Sequence, residues 1–177
     1  MQSLLDFART PTGDMIPLQI NQIINTSLKL VRDQAMFHGI EIEVNLEKNL
    51  PEVKGDISRL EEVFLNLFIN AADAMKGCGK LTITSKLRRK DTVRITIADT
   101  GKGIDEKDIS HIFEPFFTTK EPGQGTGLGL SIAYGIIRKH KGSIDVECRQ
   151  GRGTTFIICL PVYQETDNSS DNIATCD

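Results

Sequence analysis

The chain has 177 residues, 39% of them hydrophobic, with 21 Lys and Arg against 24 Asp and Glu. That content suffices to bury the core of one domain of ordinary size, and the lack of a basic excess argues against a nucleic-acid partner, which needs a clustered positive face. No apolar run approaches the roughly 20 residues that cross a bilayer, and the opening MQSLLDFARTP lacks the basic start and apolar stretch of a secretion signal. Cys78, Cys148, Cys159 and Cys176 form no CxxC pair and have no His at ligand spacing. They are expected to be free thiols in a reducing, cytoplasmic compartment.

In chain order, Leu4, Leu5 and Ala8 sit at helical spacing before Pro11. Residues 1–11 therefore read as the end of an upstream helix. A helix is expected over about 20–37, with Ile20, Ile23, Ile24, Leu28 and Val31 on one face. After Gly39, the alternation of Ile40, Ile42, Val44 and Leu46 predicts a strand. Asp56 is placed to cap a helix over 57–75, with Glu61 and Glu62 read as first-turn acids. Strands near 80–88 and 92–98 should form a hairpin around Arg89–Asp91. A long loop leads to a helix over about 127–140, and strands near 143–148 and 154–160 close the domain. This order predicts a two-layer α/β (α+β) sandwich over residues 12–162, with a mixed, mostly antiparallel sheet and helices packed on one face. The polar tail, 163–177, is expected to be disordered.

Four segments carry candidate chemistry. Glu62, Asn66, Asn70 and Asp73 are spaced by four, four and three, which stacks them on one stripe of an otherwise apolar helix. Buried amides need partners, and a phosphate-bound Mg²⁺, which prefers oxygen ligands, would supply one; a polar stripe bonded to neighbouring loops is the other reading. In Val93–Asp99, period two puts Asp99 at the end of a core-facing row. A buried carboxylate must be paired, and the exocyclic amine of adenine is a suitable donor; an ordinary Asp-Thr-Gly turn explains the motif equally well. Gly101 and Gly103 follow, where a missing Cβ lets backbone approach a flat base. The run Gly123-Gln-Gly125-Thr126-Gly127-Leu128-Gly129 enters a helix, an arrangement that converges N–H groups on an anion, with Lys120 and Thr126 adding a cation and a hydroxyl. A flexible hinge is its simpler explanation. Phe113, Phe116 and Phe117, between a glycine turn and a glycine loop, suggest a mobile lid that packs when a ligand orders it, or else a surface loop with an aromatic anchor.

Taken together, these residues resemble the boxes of a known family. Asn66-Leu-Phe-Ile-Asn70-Ala71 resembles the asparagine box of sensor histidine kinases, and Asp99-Thr-Gly101-Lys-Gly103-Ile104 their first glycine box. Phe113-Glu-Pro-Phe116-Phe117 resembles the phenylalanine box, Gly125-Thr126-Gly127-Leu128-Gly129-Leu130 the second glycine box, and Gly151-Arg-Gly153-Thr154-Thr155 the last glycine turn. The likeness covers about residues 12–161, and the superfamily also includes gyrase and the mismatch-repair ATPases.

The resemblance implies a catalytic domain that binds ATP with Mg²⁺. Asn70 would hold the metal and Asn66 the phosphate side, Asp99 would accept the adenine amine, and Thr155 would stand near that pocket. Lys120 and the glycine loop would hold the β- and γ-phosphates, with Ile104, Phe113, Leu128, Leu130 and Asp73 completing the set. Gyrase-like members carry a glutamate where Asn66 stands, and an amide cannot serve as a general base, which favours transfer over hydrolysis; Glu62, one turn earlier, keeps an ATPase open, alongside a serine-directed kinase or an ATP-binding switch without transfer. The family's acceptor histidine stands in a helical hairpin and is closely followed by an acidic residue and then a proline. His38 precedes Gly39, His111 precedes Ile112 and His140 precedes Lys141-Gly142, and none is read as that acceptor. The resemblance thus implies a kinase fragment that cannot phosphorylate itself. Its acceptor would lie on an upstream dimerisation hairpin whose exit helix is Leu4–Arg9, and a response regulator would take the phosphoryl group next. The fragment is expected to be a monomer, the full-length protein a homodimer, with a membrane anchor elsewhere left open.

Overall fold

Alternation, caps and glycines decide where each element of the chain begins and ends. The computed structural model describes residues 13–89, 91–121, 125–148 and 151–165. The expectations for the helix end at 1–11, for Gly123 and for most of the tail lie outside these described residues.

Helix α1, Ile20–Arg32, buries Ile20, Ile23, Ile24, Leu28 and Val31, and places Lys29 and Arg32 in its last turn, where cations complement the dipole. It stops five residues short of the predicted end. A continued helix would aim Phe37 roughly 100° off the apolar stripe; instead Gln34 turns extended and a single 3₁₀ turn, Ala35–Phe37, delivers Phe37 to the core.

Strand β1, Ile16–Leu18, pairs antiparallel with β3, Val53–Gly55. Both are three residues long, too short for periodicity to reveal. Strand β2 is Ile40–Leu46, as the alternation predicted. Helix α2, Ile57–Met75, begins at the predicted cap, where the Asp56 carboxylate accepts from the Arg59 N–H at 3.2 Å. Its first turn holds no acidic residue, so Glu61 and Glu62 lie one turn beyond the expected place and the cap alone provides the negative charge. Eight of its residues, from Leu60 to Met75, are buried. It ends on left-handed Lys76, with φ of 50°.

Strands β4, Gly79–Arg88, and β5, Thr92–Asp99, form the predicted hairpin. Helix α3 is Gly129–Lys139, starting two residues later than expected because Gly127 has φ of +67° and cannot join a right-handed helix. Strands β6, Ser143–Cys148, and β7, Thr154–Pro161, complete the sheet. Its order is β2-β4-β5-β7-β6; β2 runs parallel to β4 and every other neighbour is antiparallel. The three helices pack on one face, against Leu81, Ile83, Val93, Ile95, Ile97 and Ile158. Thr82, Arg94 and Thr96 on the other face stay half-buried. This is the mixed two-layer sandwich that the order of elements implied. No helix among the described residues is long and apolar enough to cross a membrane.

Candidate functional site

Strand β5 ends with Val93, Ile95 and Ile97 at most 2% exposed and Asp99 at 7%, so the carboxylate does terminate the core-facing row. One oxygen, Oδ1, accepts from the N–H of Gly101 at 2.8 Å and of Thr154 at 3.3 Å. The Asp-Thr-Gly turn is therefore real, and it consumes only half of the carboxylate: Oδ2 accepts nothing among the described residues. Burial pushes the Asp99 carboxyl above its ordinary range, and the Gly101 and Thr154 amides partly counter it. An acceptor held at the edge of an apolar wall by two backbone N–H groups, one of them from β7, is ready for an amine donor.

The loop after Asp99 is fastened to α2. The N–H of Lys102 donates to Ala74 O at 3.2 Å, and a Cβ at Gly101 would come within 2.7 Å of the Ala74 backbone. At Gly153 a Cβ would stand 1.9 Å from Asp99 O, at φ of +89°. Only glycine satisfies that combination.

Along the same side of α2 lie the stripe residues. Asn66 and Asn70 are half-buried, and their side-chain amides make no hydrogen bond among the described residues. Glu62 turns back to Arg59, at 2.9 Å. Asp73, exposed at the end of the stripe, accepts from the Lys120 ammonium. Gly129, the first residue of α3, faces Asn66: a Cβ there would lie 3.4 Å from Asn66 Oδ1. Leu128 precedes α3 with no side-chain cap, and its N–H donates to Thr126 Oγ1 at 3.3 Å. The unbonded amides, the uncapped helix start and Lys120 thus surround one stretch of α2, Asn66 to Ala74, with Asp99 and Gly101 at its far end.

Segment 105–121 closes the side. Ile112 is buried, and Phe113 and Phe117 already pack against the core, Phe113 with its ring 5.3 Å from that of Tyr134. Phe116 is 68% exposed, at φ of 68°, and its N–H donates to Gly127 O at 2.9 Å. That bond ties the aromatic segment to the glycine loop. Ile104 and Leu130 are half-buried against the core, and Ile104 O accepts from the Cys148 thiol at 3.7 Å.

Thr155 departs from expectation. It pairs with Ala98, so its side chain shares the face of Ala98, opposite to that of Asp99. Thr154 is the neighbour that lies on the Asp99 side: it is 4% exposed and gives Asp99 its second N–H. Thr154 and the Ala74–Lys102 contact were missed, because strand parity at β7 depends on a cross-strand register that no local pattern contains.

A cavity of about 400 Å³ lies at the opposite end of β5, between Lys54, Thr92, Lys141 and Pro161, and touches none of the predicted site residues.

Residues 55–164 match the family described as histidine kinase-, DNA gyrase B- and HSP90-like ATPases. The sensor histidine kinase ZraS of Escherichia coli K12 is 36% identical over 162 residues, which is 92% of this chain and 34% of ZraS. The chain thus spans about a third of the length of that curated relative. Among solved structures, the catalytic domain of histidine kinase ThkA is 33% identical with a TM-score of 0.74, over 84% of this chain and 98% of ThkA's. ThkA has also been solved with the response regulator protein TrrA, at 28% identity and a TM-score of 0.75, covering 92% of this chain and 46% of that one. Full-length ShkA, in complex with AMPPNP, is 28% identical with a TM-score of 0.77, over 91% of this chain and 35% of ShkA's. The chain belongs to the histidine kinase-, DNA gyrase B- and HSP90-like ATPases, and within them to the ATP-binding catalytic domains of sensor histidine kinases.

Proposed function

We propose that the chain binds Mg·ATP between α2 and segment 105–121 and presents the γ-phosphate to a histidine carried outside this chain. The observation that supports it most is the half-used carboxylate of Asp99, whose loop is fastened through Gly101 and Lys102 to the end of the helix that carries the unbonded amides of Asn66 and Asn70. Asp99 Oδ2 accepts the adenine amine, and Thr154 borders that pocket where Thr155 had been expected. Gly101 and Gly103 let backbone approach the base, and the start of α3 with Gly125, Thr126 and Gly127 receives the phosphates. Asn70, with Asn66 beside it, offers amide oxygens of the hard type that Mg²⁺ prefers. Amide oxygens and phosphate oxygens would share the ion, which usually keeps several waters and is held by few protein groups. When bound, Mg²⁺ supplies charge neutralisation across the phosphates.

Transfer breaks the bond from the γ-phosphorus to its bridging oxygen, which leaves with ADP, and forms a bond to an imidazole nitrogen. Positioning and charge are what the protein contributes. The chain's own histidines are poor acceptors. His140 is 4% exposed; its Nε2 accepts from the Asp56 N–H at 3.0 Å and its Nδ1 donates to Ile136 O at 2.8 Å. His111, on segment 105–121, and His38, directly after the 3₁₀ turn, each engage one ring nitrogen, with Glu114 and with Asp33 O, and neither stands on a helical hairpin like the acceptor that the resemblance implies. We therefore infer that the chain does not phosphorylate itself. Hydrolysis is less well supported, since Glu62, the candidate base, is engaged with Arg59. A histidine-bearing dimerisation hairpin and a response regulator are the partners this reading calls for.

The test mixes the chain with a separately made histidine hairpin and ATP labelled at the γ-phosphate. Acid-labile label on the hairpin is expected; label found only as free phosphate removes the kinase reading.

A further inference from the structure

The sequence offered Lys120 and Asp73 as two separate nucleotide ligands. The structure joins them: the ammonium of Lys120 donates to Asp73 Oδ2, across 47 residues of sequence. Among the described residues it is the one ion pair linking segment 105–121 to α2; the others lie within one turn or helix or between neighbouring strands. The Lys120 stem runs past the glycine loop, its Cδ 3.0 Å from where a Cβ of Gly125 would stand, and its backbone N–H is fixed by Thr118 Oγ1 at 3.1 Å. Lys120 therefore starts at the loop and ends on the helix, one turn beyond Asn70.

With the side chains 31% and 36% exposed, such a pair contributes little to stability. Its effect is to place a charge. A carboxylate facing a triphosphate alone would repel it, whereas a carboxylate already covered by an ammonium does not. Lysine has three donors, so Asp73 occupies one and leaves two. Free in solvent, that long side chain would have to give up its rotamer freedom on meeting a phosphate; held by Asp73, it has lost much of it beforehand.

We propose that Asp73 is a positioning residue for Lys120, holding the ammonium beside Asn70 so that its remaining donors meet the terminal phosphates, and that Asp73 itself touches neither nucleotide nor metal. This rests on the Mg·ATP reading above.

Calorimetric titration of the 177-residue chain with Mg·ATP, and separately with adenosine, tests it. Asp73→Asn should weaken Mg·ATP about five- to tenfold, the equivalent of the lysine's lost rotamer freedom. Adenosine, which has no phosphate, should bind as before and so report an intact fold. Asp73→Glu should recover most of the loss. In a Lys120→Ala background Asp73→Asn should change nothing further. Unchanged or tighter Mg·ATP binding by Asp73→Asn overturns the proposal, as does a further loss in the Lys120→Ala background, which would mean direct contact. A wild-type chain that binds no Mg·ATP overturns the functional reading itself, and this proposal with it; wild-type binding with an indifferent Asp73→Asn overturns this proposal alone.

Discussion

Asp99 spends one carboxylate oxygen on structure, and we propose that the other accepts the adenine amine. Asp99→Asn keeps an oxygen for the Gly101 and Thr154 amides and replaces Oδ2 by an NH₂, which cannot accept from an amine. Nucleotide affinity should fall by about 1.5–3 kcal/mol, the worth of a hydrogen bond to a charged group, as measured by calorimetry. Stability should move the other way. Because burial raises the folded-state pKa above the unfolded value, the folded protein takes up the proton first. The ionised group thus costs stability at neutral pH, and that cost fades as pH falls through the raised value. Asp99→Asn should therefore have the higher Tm at pH 7, with the advantage shrinking as the buffer is acidified. Wild-type affinity for ATP should decline over the same acid interval, as the acceptor is protonated. Ser27 is a residue of the opposite kind: its hydroxyl is fully buried in α1 with no partner among the described residues. Ser27→Ala removes an unsatisfied polar group and should stabilise the fold by about 1 kcal/mol, read as a shift of the urea midpoint.

At the scale of elements, α2 bears the most. It carries Asn66 and Asn70, anchors Lys120 through Asp73, and holds the Asp99 loop through Ala74. Its start is fixed twice, by the Asp56 carboxylate on the Arg59 N–H and by His140, at the end of α3, which accepts the Asp56 N–H. Asp56→Ala should cost about 1 kcal/mol, as a lost cap does. His140→Ala strands a buried N–H, a loss of about 1–3 kcal/mol before any cavity is counted. Since both act on one turn, the double variant should lose less than the two single losses combined, by denaturant titration. The elements of the site were legible wherever a local rule governed them. The Asp56 cap, the stripe spacing and the row ending in Asp99 each follow from a period or a turn preference. The ends of α1 and α3 were not, because Phe37 answers to the core and Gly127 to a backbone angle rather than to periodicity.

Over the whole molecule, β5 is the sheet's centre, with β4 and β7 on either side and α2 above it. Hydrogen exchange should find its slowest amides in Ile95–Ile97 and fast ones in residues 105–121, with Mg·ATP slowing the latter; protection of that segment equal to β5 before nucleotide is added would contradict this assignment. The sequence by itself determined the composition of the sandwich, the helix with its amides, the acid at the strand end and the glycines around them, since each is set by contacts within a few residues. The tertiary structure alone decided which face Thr154 and Thr155 present, that β1 and β3 exist, that β2 lies parallel to β4, and that Lys120 meets Asp73. Those depend on pairing between distant segments, whose register is chosen by the packing of the entire core and written in no single stretch of chain.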